Sequence, residues 1–373
     1  MLKSQKTNKT NKLFQNLVEQ FLYNHYFKNK MANLTTQEKF DIIKRNTKEI
    51  TKEEELLELL EKKDKPVVYL GWSITGRPHI GYYVPVIKLA DFLKAGFKVK
   101  LLLADLHGAL DNTPWNVLEK RYEHYARTIP QMFKSIGADI TNFEIVKGSD
   151  FQLKKDYFTD LLKLSSFTSI HDAKRAGSEV VKFGDNPKLS GLIYPLMQSL
   201  DEEYLGADIQ FGGIDQRKIL MFARENLGKL GYKPRIEVMT PLIPGLTGKK
   251  MSASDPKSKI DLLDTAKKVE KKIRGAYCEE GIVEENGVLA FLKNVIFTIL
   301  NDKGKKFIIE RPEKFGGNLE FSSYQEVEDT FVKKDLHPLD LKNALAKQVN
   351  LLLSAFDEHR NEWDELAKKA YDE

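Results

Sequence analysis

The stretch that decides the fold is Val67-Val68-Tyr69-Leu70-Gly71-Trp72-Ser73-Ile74-Thr75-Gly76-Arg77-Pro78-His79-Ile80-Gly81-Tyr82. Its first five residues form an apolar run that ends at a glycine, which is typical of a short buried strand. A turn-rich loop follows, and from Ile80 apolar residues recur at helical spacing until Gly96 closes the segment. Ligands of open α/β sheets bind beyond the carboxyl ends of strands, where helix N-termini attract phosphate. The stretch therefore predicts a phosphate-binding loop with His79 nearest to the ligand, although a lone histidine before a glycine also suits a surface turn.

Strands and helices alternate along the chain from this stretch to about residue 260. Further strands are predicted at 98–105, 143–146, 207–211 and 236–239, and helices at 80–95, 114–136 and after Asp215. Such alternation predicts an α/β fold with a doubly wound, Rossmann-like parallel sheet covered by helices on both sides. A helical block at about 150–205 is expected as an insertion between the two halves of the sheet. The pattern becomes mostly helical beyond residue 260, so we place domains at 36–260 and 261–373.

Composition and charge limit the class of protein. Of the 373 residues, 41% are apolar and 30% charged, as in ordinary soluble proteins. No apolar run approaches the roughly 20 residues of a membrane span. The single cysteine, Cys278, excludes an intramolecular disulfide and a cysteine-based zinc cluster, and it fits a reducing, cytoplasmic location.

The formal net charge of +5 comes from the amino terminus. Residues 1–35 contain six lysines and one glutamate, so the remaining chain sums to zero. Bulk charge therefore does not indicate RNA binding, and an RNA-binding face would have to be a local patch. The basic extension is compatible with an organelle-targeting arm, or with a dispensable segment and an alternative start at Met31.

Two further segments carry glycines beside polar groups. The first, Gly245-Leu246-Thr247-Gly248-Lys249-Lys250-Met251-Ser252-Ala253-Ser254, reads as a basic loop. The second, Gly212-Gly213-Ile214-Asp215-Gln216, follows a strand and opens a helix. Its glycines permit close backbone approach, and Asp215 can cap the helix or accept from a ribose hydroxyl.

A polar stripe runs along the helix predicted around residue 198. Tyr194, Gln198 and Asp201 are spaced i, i+4 and i+7, so they stack on one helical face. Leu196, Met197 and Leu200 border them. A polar stripe with apolar neighbours suits the wall of a ligand pocket with a few placed hydrogen bonds. The alternative is a solvated helix face.

In this order, the loops Gly76–Tyr82 and Lys249–Ser254 resemble the two signatures of class I aminoacyl-tRNA synthetases. Together with Val68–Gly71, Tyr194–Asp201 and Gly212–Lys218, they make residues 36–365 similar to tyrosyl-tRNA synthetases of the archaeal and eukaryotic cytosolic type. The resemblance implies an all-α anticodon-binding domain, a homodimer, and the partners L-tyrosine, ATP and tRNA(Tyr). Mg²⁺ would accompany the β- and γ-phosphates of ATP, and no protein-bound metal is expected.

The resemblance also implies roles for single residues at the ATP site. His79 would stabilise charge on the α-phosphate, and Lys250 would reach the leaving pyrophosphate. The ATP-binding residues would be Gly71, Gly81, Gly212, Gly213, Asp215, Met251, Ser252 and Ser254. Two positions depart from the family signatures. Tyr82 replaces a histidine and Ala253 replaces a lysine, so Lys249 is expected to supply part of the missing charge.

For the amino acid, the resemblance implies that Tyr69 and Asp201 bond the phenol hydroxyl of tyrosine. Tyr194, Gln198 and Gln216 would hold its ammonium and backbone end. Phenylalanine would leave buried polar groups unpaired and would be rejected without editing. The rivals are the sister tryptophanyl-tRNA synthetases, which resemble residues 250–256 at least as well, and a non-catalytic RNA-binding paralogue.

For tRNA, the resemblance implies that Phe315 stacks on the first anticodon base and Asp340 bonds its edge. Arg175 and Arg217 would contact the first base pair of the acceptor stem. Simpler alternatives are a core aromatic for Phe315, a helix N-cap for Asp340 and a solvated charge for Arg175.

Overall fold

The structure is a computed structural model that describes residues 34–248 and 258–371. The extension 1–35 lies almost wholly outside the described residues. The strands are β1 Glu49–Ile50, β2 Val67–Ser73, β3 Lys98–Ala104, β4 Phe143–Lys147, β5 Ile209–Gly213, β6 Ile236–Thr240, β7 Phe307–Ile309 and β8 Leu319–Phe321. The α-helices are α1 Thr36–Lys44, α2 Glu53–Lys62, α3 Tyr83–Lys94, α4 Asp105–Leu110, α5 Leu118–Ile136, α6 Ser149–Gln152, α7 Lys155–Ser166, α8 Ile170–Gly177, α9 Leu189–Tyr204, α10 Arg217–Asn226, α11 Ala266–Arg274, α12 Gly287–Phe291, α13 Phe297–Asp302, α14 Tyr324–Val332, α15 Pro338–Leu353 and α16 Arg360–Tyr371.

The main sheet has six strands in the order β1-β6-β5-β2-β3-β4. Strands β2 to β6 run parallel, as their buried apolar residues predict. The chain winds from β2 outward to β4, then crosses over to β5 and β6 on the other side of β2. The predicted doubly wound sheet is confirmed, and its topological switch point lies between β2 and β5. The edge strand β1 pairs antiparallel with β6 and, at two residues, is too short to give a periodic signal.

Helices α6 to α9 fill the chain between β4 and β5. They pack in a second apolar cluster that includes Tyr157, Leu164, Leu200 and Ala223. The cluster also contains Tyr69 of β2 and Leu102 of β3, so this block packs on one face of the sheet. The block includes α9, the helix with the predicted polar stripe. The crossover therefore brings that stripe to the carboxyl ends of the central strands.

The carboxy-terminal region is mostly helical but also contains the antiparallel ribbon β7–β8. The expectation of an all-helical region is wrong in this detail. Phe307 and Ile309 are buried and Ile308 is exposed, an alternation only three residues long. One hydrophobic cluster joins residues from Phe40 to Ala367, so α16 and its neighbours pack on the sheet layers. Among the described residues, no helix is long and apolar enough to cross a membrane.

Candidate active site

The candidate site lies at the topological switch point of the sheet. Strand β2 ends at Ser73 and β5 at Gly213, and the loop and turn that follow them border the same edge. Helix α9 borders the site on the side of the helical block α6–α9. This is the place where open α/β sheets bind ligands, and the residues predicted from the sequence fall around it.

His79 caps the 3-10 turn Ile80–Tyr82 and is almost fully buried. Its Nδ1 accepts a hydrogen bond from the backbone N–H of Gly81 at 3.2 Å. Burial, with a smaller contribution from the charge of Lys259, lowers the pKa of His79 to about 3. The ring is therefore neutral at physiological pH and carries its proton on Nε2, because Nδ1 is an acceptor. A neutral N–H donor at a helix start is suited to an oxyanion.

Tyr82 takes up a packing role beside this histidine. Its ring meets those of His79 and Trp72 edge-on, with centroids 4.9 and 4.7 Å apart. Its hydroxyl lies 3.0 Å from that of Tyr125, which donates to the carbonyl of Gly76 at 2.6 Å. Tyr82, which stands where the family has a histidine, therefore packs against the loop and stabilises it.

The chain that follows residue 257 pairs with the histidine loop. The N–H of Ile80 donates to the carbonyl of Ile260 at 2.9 Å, and that of Leu262 to Pro78 at 3.3 Å. The predicted residues Lys250, Met251, Ser252 and Ser254, together with Lys249 and Ala253, lie outside the described residues. Their described neighbours are held together, since the N–H of Leu246 donates to the carbonyl of Ser258 at 3.0 Å.

The glycine pair after β5 has a packing reason of its own. A Cβ on Gly213 would lie 2.5 Å from Oδ1 of Asp215, and one on Gly212 would lie 3.1 Å from the side chain of Gln216. A side chain at either position would therefore displace the side chain of Asp215 or Gln216. Gly71 is exposed in β2 and Gly81 is half-buried. The ATP contacts of these residues remain predictions.

Asp201 lies near the end of α9 and is buried. Its Oδ1 accepts hydrogen bonds from Nε2 of Gln152 at 2.7 Å and from the hydroxyl of Tyr157 at 2.8 Å. Its Oδ2 has no hydrogen-bond partner within residues 34–248 and 258–371. Burial raises the pKa of Asp201 to about 7, against the two hydrogen bonds, which lower it. Oδ2 is thus the oxygen of Asp201 that is available to a hydrogen-bond donor.

Tyr69 is also buried, but its hydroxyl is already bonded. It donates to the carbonyl of Gln198 at 3.1 Å and accepts from Nε2 of Gln210 at 2.8 Å. A substrate without a hydroxyl would therefore leave Asp201, rather than Tyr69, unpaired. This shifts the expected discrimination against phenylalanine mainly onto Asp201.

The other predicted pocket residues lie near these two. Nε2 of Gln198 donates to Oε1 of Gln216 at 3.1 Å, so α9 and the turn after β5 are joined here. Tyr194 is buried, and burial raises its pKa, although a hydrogen bond with Ser73 opposes the rise. Because Tyr194 and Asp201 are buried, the alternative of a solvated helix face is wrong, while the pocket wall stays a prediction.

Sequence reasoning missed His107, Gln152, Tyr157 and Gln210. Nε2 of His107 lies 3.7 Å from Oδ2 of Asp201, and burial lowers the pKa of His107 to about 4. Its ring meets that of Tyr194 edge-on at 4.6 Å. A signal existed for His107 alone, because it follows the end of β3 and the carboxyl ends of neighbouring parallel strands share an edge.

Of the residues predicted to contact tRNA, Arg175, Arg217 and Phe315 are exposed and Asp340 is half-buried. The side chain of Phe315 is 60% exposed, so it is not a core aromatic. The N-cap of α15 is His337 and not Asp340. Arg175 lies 3.2 Å from Asp172 on α8. Arg217 is held by both carboxylate oxygens of Glu49 at 2.8 and 2.9 Å, so it would have to exchange that carboxylate for RNA.

Comparisons with known proteins agree on one family. The family tRNA synthetases class I (W and Y) matches residues 61–354. The cytoplasmic tyrosine–tRNA ligase of Saccharomyces cerevisiae is 47% identical, with 91% of this chain and 89% of that protein covered. The crystal structure of tyrosyl-tRNA synthetase with L-tyrosine from Archaeoglobus fulgidus has a TM-score of 0.80 at 41% identity, over 87% of this chain and all of that one.

The cytoplasmic tyrosine–tRNA ligase of Gallus gallus is also 47% identical, over 90% of this chain. This chain spans only 63% of the length of that relative.

Proposed function

This chain belongs to the class I tRNA synthetases for tryptophan and tyrosine, and we propose that it is a tyrosine–tRNA ligase. The membership confirms the resemblance drawn from the sequence motifs. The observation that carries the proposal is Oδ2 of Asp201, a buried oxygen without a hydrogen-bond partner among the described residues. We place the end of the amino-acid pocket at this oxygen and at the hydroxyl of Tyr69. A phenol reaching this end would donate to Asp201 and accept from Tyr69.

The same two groups favour tyrosine over tryptophan. The indole of tryptophan has one N–H donor and no acceptor. It would donate to Asp201 but accept nothing from Tyr69, whose hydroxyl would stay on the carbonyl of Gln198, whereas a phenol oxygen makes both bonds. Phenylalanine offers neither. Phenylalanine would leave Oδ2 of Asp201 unpaired, at a cost of about 1–3 kcal/mol, and tryptophan would forgo the bond to Tyr69.

The proposed chemistry needs no side-chain nucleophile. A carboxylate oxygen of tyrosine attacks the α-phosphorus of ATP and pyrophosphate leaves, which gives tyrosyl-adenylate. The terminal ribose hydroxyl of tRNA then attacks the carbonyl and AMP leaves. His79 would donate from Nε2 to the α-phosphate and Lys250 would neutralise the departing pyrophosphate, so positioning and electrostatics supply the rate.

Mg²⁺ enters this proposal as part of the ATP substrate. Within the described ranges, no group of three or more histidine, cysteine or carboxylate side chains is arranged to hold a metal. Bound to the β- and γ-phosphates, the ion would neutralise charge on the leaving group. Gly71, Gly81, Gly212, Gly213 and Asp215 would border the nucleotide, with Met251, Ser252 and Ser254.

For tRNA we propose a division between two regions. Residues 36–260 would bind the acceptor end through Arg175 and Arg217, and residues 261–373 would read the anticodon through Phe315 and Asp340. The exposed ring of Phe315 supports stacking on a base. Exposed cations of α11, namely Lys267, Lys268, Lys271 and Arg274, would meet the phosphate backbone.

We propose that an apolar surface on the helical block α6–α9 binds a second copy of the chain. Phe158 and Leu162 lie one turn apart on α7 and are 54% and 56% exposed. Leu153 and Ile170 add large exposed side chains. Exposed apolar clusters of this kind are typical of protein interfaces, and the family expectation is a homodimer. By the same relationship we propose a cytoplasmic location.

Charging of tRNA tests the proposed function. The full chain, incubated with ATP, Mg²⁺, labelled L-tyrosine and total tRNA, is expected to form acid-precipitable tyrosyl-tRNA. The His79→Ala variant, which keeps the pocket, should charge at least a hundredfold more slowly, as for removal of one oxyanion donor. A chain that binds tRNA but never charges it would be a non-catalytic RNA-binding protein, which would contradict the proposal.

A further inference from the structure

A polar row crosses the buried middle of the main sheet. Tyr69 on β2 is the register partner of Gln210 on β5, and Gln210 is the partner of Glu237 on β6. Partners across neighbouring parallel strands point to the same face of the sheet. All three are buried, with at most 1% of each side chain exposed. Parallel strands covered on both faces are normally apolar at such positions.

The row costs stability. Oε1 of Gln210 is buried and has no hydrogen-bond partner in the described part of the chain. Glu237 meets Arg224 only at 3.5 Å, and burial raises its pKa to about 7. Apolar residues of similar volume would avoid these desolvation costs. A polar residue kept at such a position is expected to serve a site rather than the fold.

The hydrogen bonds of the row have a direction. Nε2 of Gln210 donates to the oxygen of Tyr69 at 2.8 Å, and the hydroxyl of Tyr69 donates to the carbonyl of Gln198 at 3.1 Å. Because the amide occupies the oxygen of Tyr69 as an acceptor, the proton of the hydroxyl is what Tyr69 can turn toward a ligand. A bond received by the oxygen also strengthens the bond that its proton makes.

We propose that Gln210 is a positioning residue for amino-acid selection, acting through Tyr69. This rests on the proposed function, in which tyrosine is the substrate. Gln210 fixes Tyr69 as the donor at the pocket end, while Asp201 is the acceptor. Only a substrate group that both donates and accepts at one oxygen bonds both residues, with the proton of Tyr69 turned from the carbonyl of Gln198 to the ligand, and a phenol hydroxyl is such a group.

The test is a double-mutant cycle with Gln210→Met and Tyr69→Phe. Methionine keeps the length and much of the volume of glutamine without its hydrogen bonds. The control is Ile209→Val, which removes one methyl group at the adjoining buried position of β5. Tyrosine- and phenylalanine-dependent pyrophosphate exchange gives kcat and KM for each chain, and thermal unfolding reports whether each is folded.

Gln210→Met is expected to raise KM for tyrosine about tenfold, as for one lost buried hydrogen bond. It should leave kcat and KM for ATP nearly unchanged, because the contact is equal in ground and transition states. The ratio of kcat/KM for tyrosine over phenylalanine should fall by a similar factor. In the double variant the loss should equal that of Tyr69→Phe alone, and Ile209→Val should keep the ratio.

An unchanged ratio in Gln210→Met, or losses that simply add in the double variant, would overturn the inference while tyrosine-dependent exchange by the unmodified chain persists. Absence of that exchange would instead sink the proposed function and this inference with it. If the methionine variant does not fold, Gln210→Glu serves in its place. Its carboxylate takes the proton of Tyr69 away from the ligand, so the ratio must fall there too.

Discussion

Asp201 is a carboxyl that the fold keeps at a cost to its own stability. Burial raises its pKa from 3.8 to about 7, so the folded chain holds that proton more tightly than the unfolded chain does. The contribution of this proton to the free energy of unfolding is fully present below pH 4 and is lost as the pH rises through about 7. At pH 8 the ionised carboxylate therefore destabilises the free protein, and a phenol donor would compensate.

We accordingly expect Asp201→Asn to raise the free energy of unfolding at pH 8 by on the order of 3 kcal/mol. Denaturant unfolding should show little gain at pH 4. The same change should lower kcat/KM for tyrosine by about a hundredfold, the loss of a charge-assisted bond.

Asp160→Asn is the matched control for this prediction. Asp160 is also buried, but it accepts from the hydroxyl of Tyr204 at 2.9 Å and from Lys163 at 2.9 Å. These donors, with Tyr232, hold the pKa of Asp160 below its usual value against the effect of burial. Its neutral variant should lose stability at pH 8. A loss in Asp201→Asn as well would contradict the assignment of Asp201.

Without the family resemblance, residues of the site were predictable only where one element contains them. Tyr194, Gln198 and Asp201 share a face of α9, so helical periodicity was sufficient. Gln152, Tyr157 and Gln210 come from α6, α7 and β5. Their meeting with Asp201 and Tyr69 depends on the crossover and on sheet register, which no local pattern in the sequence contains.

At the scale of elements, a buried lysine joins α1 to α3. Nζ of Lys88 donates to the carbonyl of Ile43 at 2.8 Å, near the end of α1, and lies 3.0 Å from the carboxylate of Asp91. Both side chains are buried. Nε of Arg45 also donates to Asp91, at 3.1 Å. The carboxylate thus neutralises two cations that fix the end of α1.

Asp91→Ala is expected to lower the free energy of unfolding by about 3–5 kcal/mol, because it leaves a buried lysine without its counter-charge. KM for tyrosine should not change, since this cluster does not belong to the pocket. The control is Glu53→Ala, which breaks the exposed pair with Lys44 at 2.8 Å and should cost less than about 1 kcal/mol. Equal losses in denaturant unfolding would contradict the account.

Elements with strong periodicity were predicted well, and short ones were not. The parallel strands and long helices follow from their apolar patterns, while β1, β7 and β8 have two or three residues each. Helix α5 begins at Leu118 after a 3-10 turn, Trp115–Val117, and not at Pro114 as expected. Such limits are set by capping and by contacts with distant parts of the chain.

At the scale of the whole molecule, the apolar surface of α7 predicts association. Replacing Phe158 and Leu162 together by aspartate should convert the proposed dimer into monomers in sedimentation experiments, because charge cannot be buried there unpaired. The control is Leu351→Asp on α15, where the side chain is also 60% exposed. That variant should remain dimeric. If the unmodified chain is monomeric, the proposed interface is wrong.

Amino-acid-dependent exchange of pyrophosphate into ATP tests the central claim most directly. The full chain is assayed with each of tyrosine, tryptophan and phenylalanine at matched concentrations, without tRNA. We predict rapid exchange with tyrosine, none with tryptophan, and at least a hundredfold lower kcat/KM with phenylalanine. Exchange with tryptophan but not with tyrosine would contradict the reading of Asp201 and Tyr69 as a phenol site.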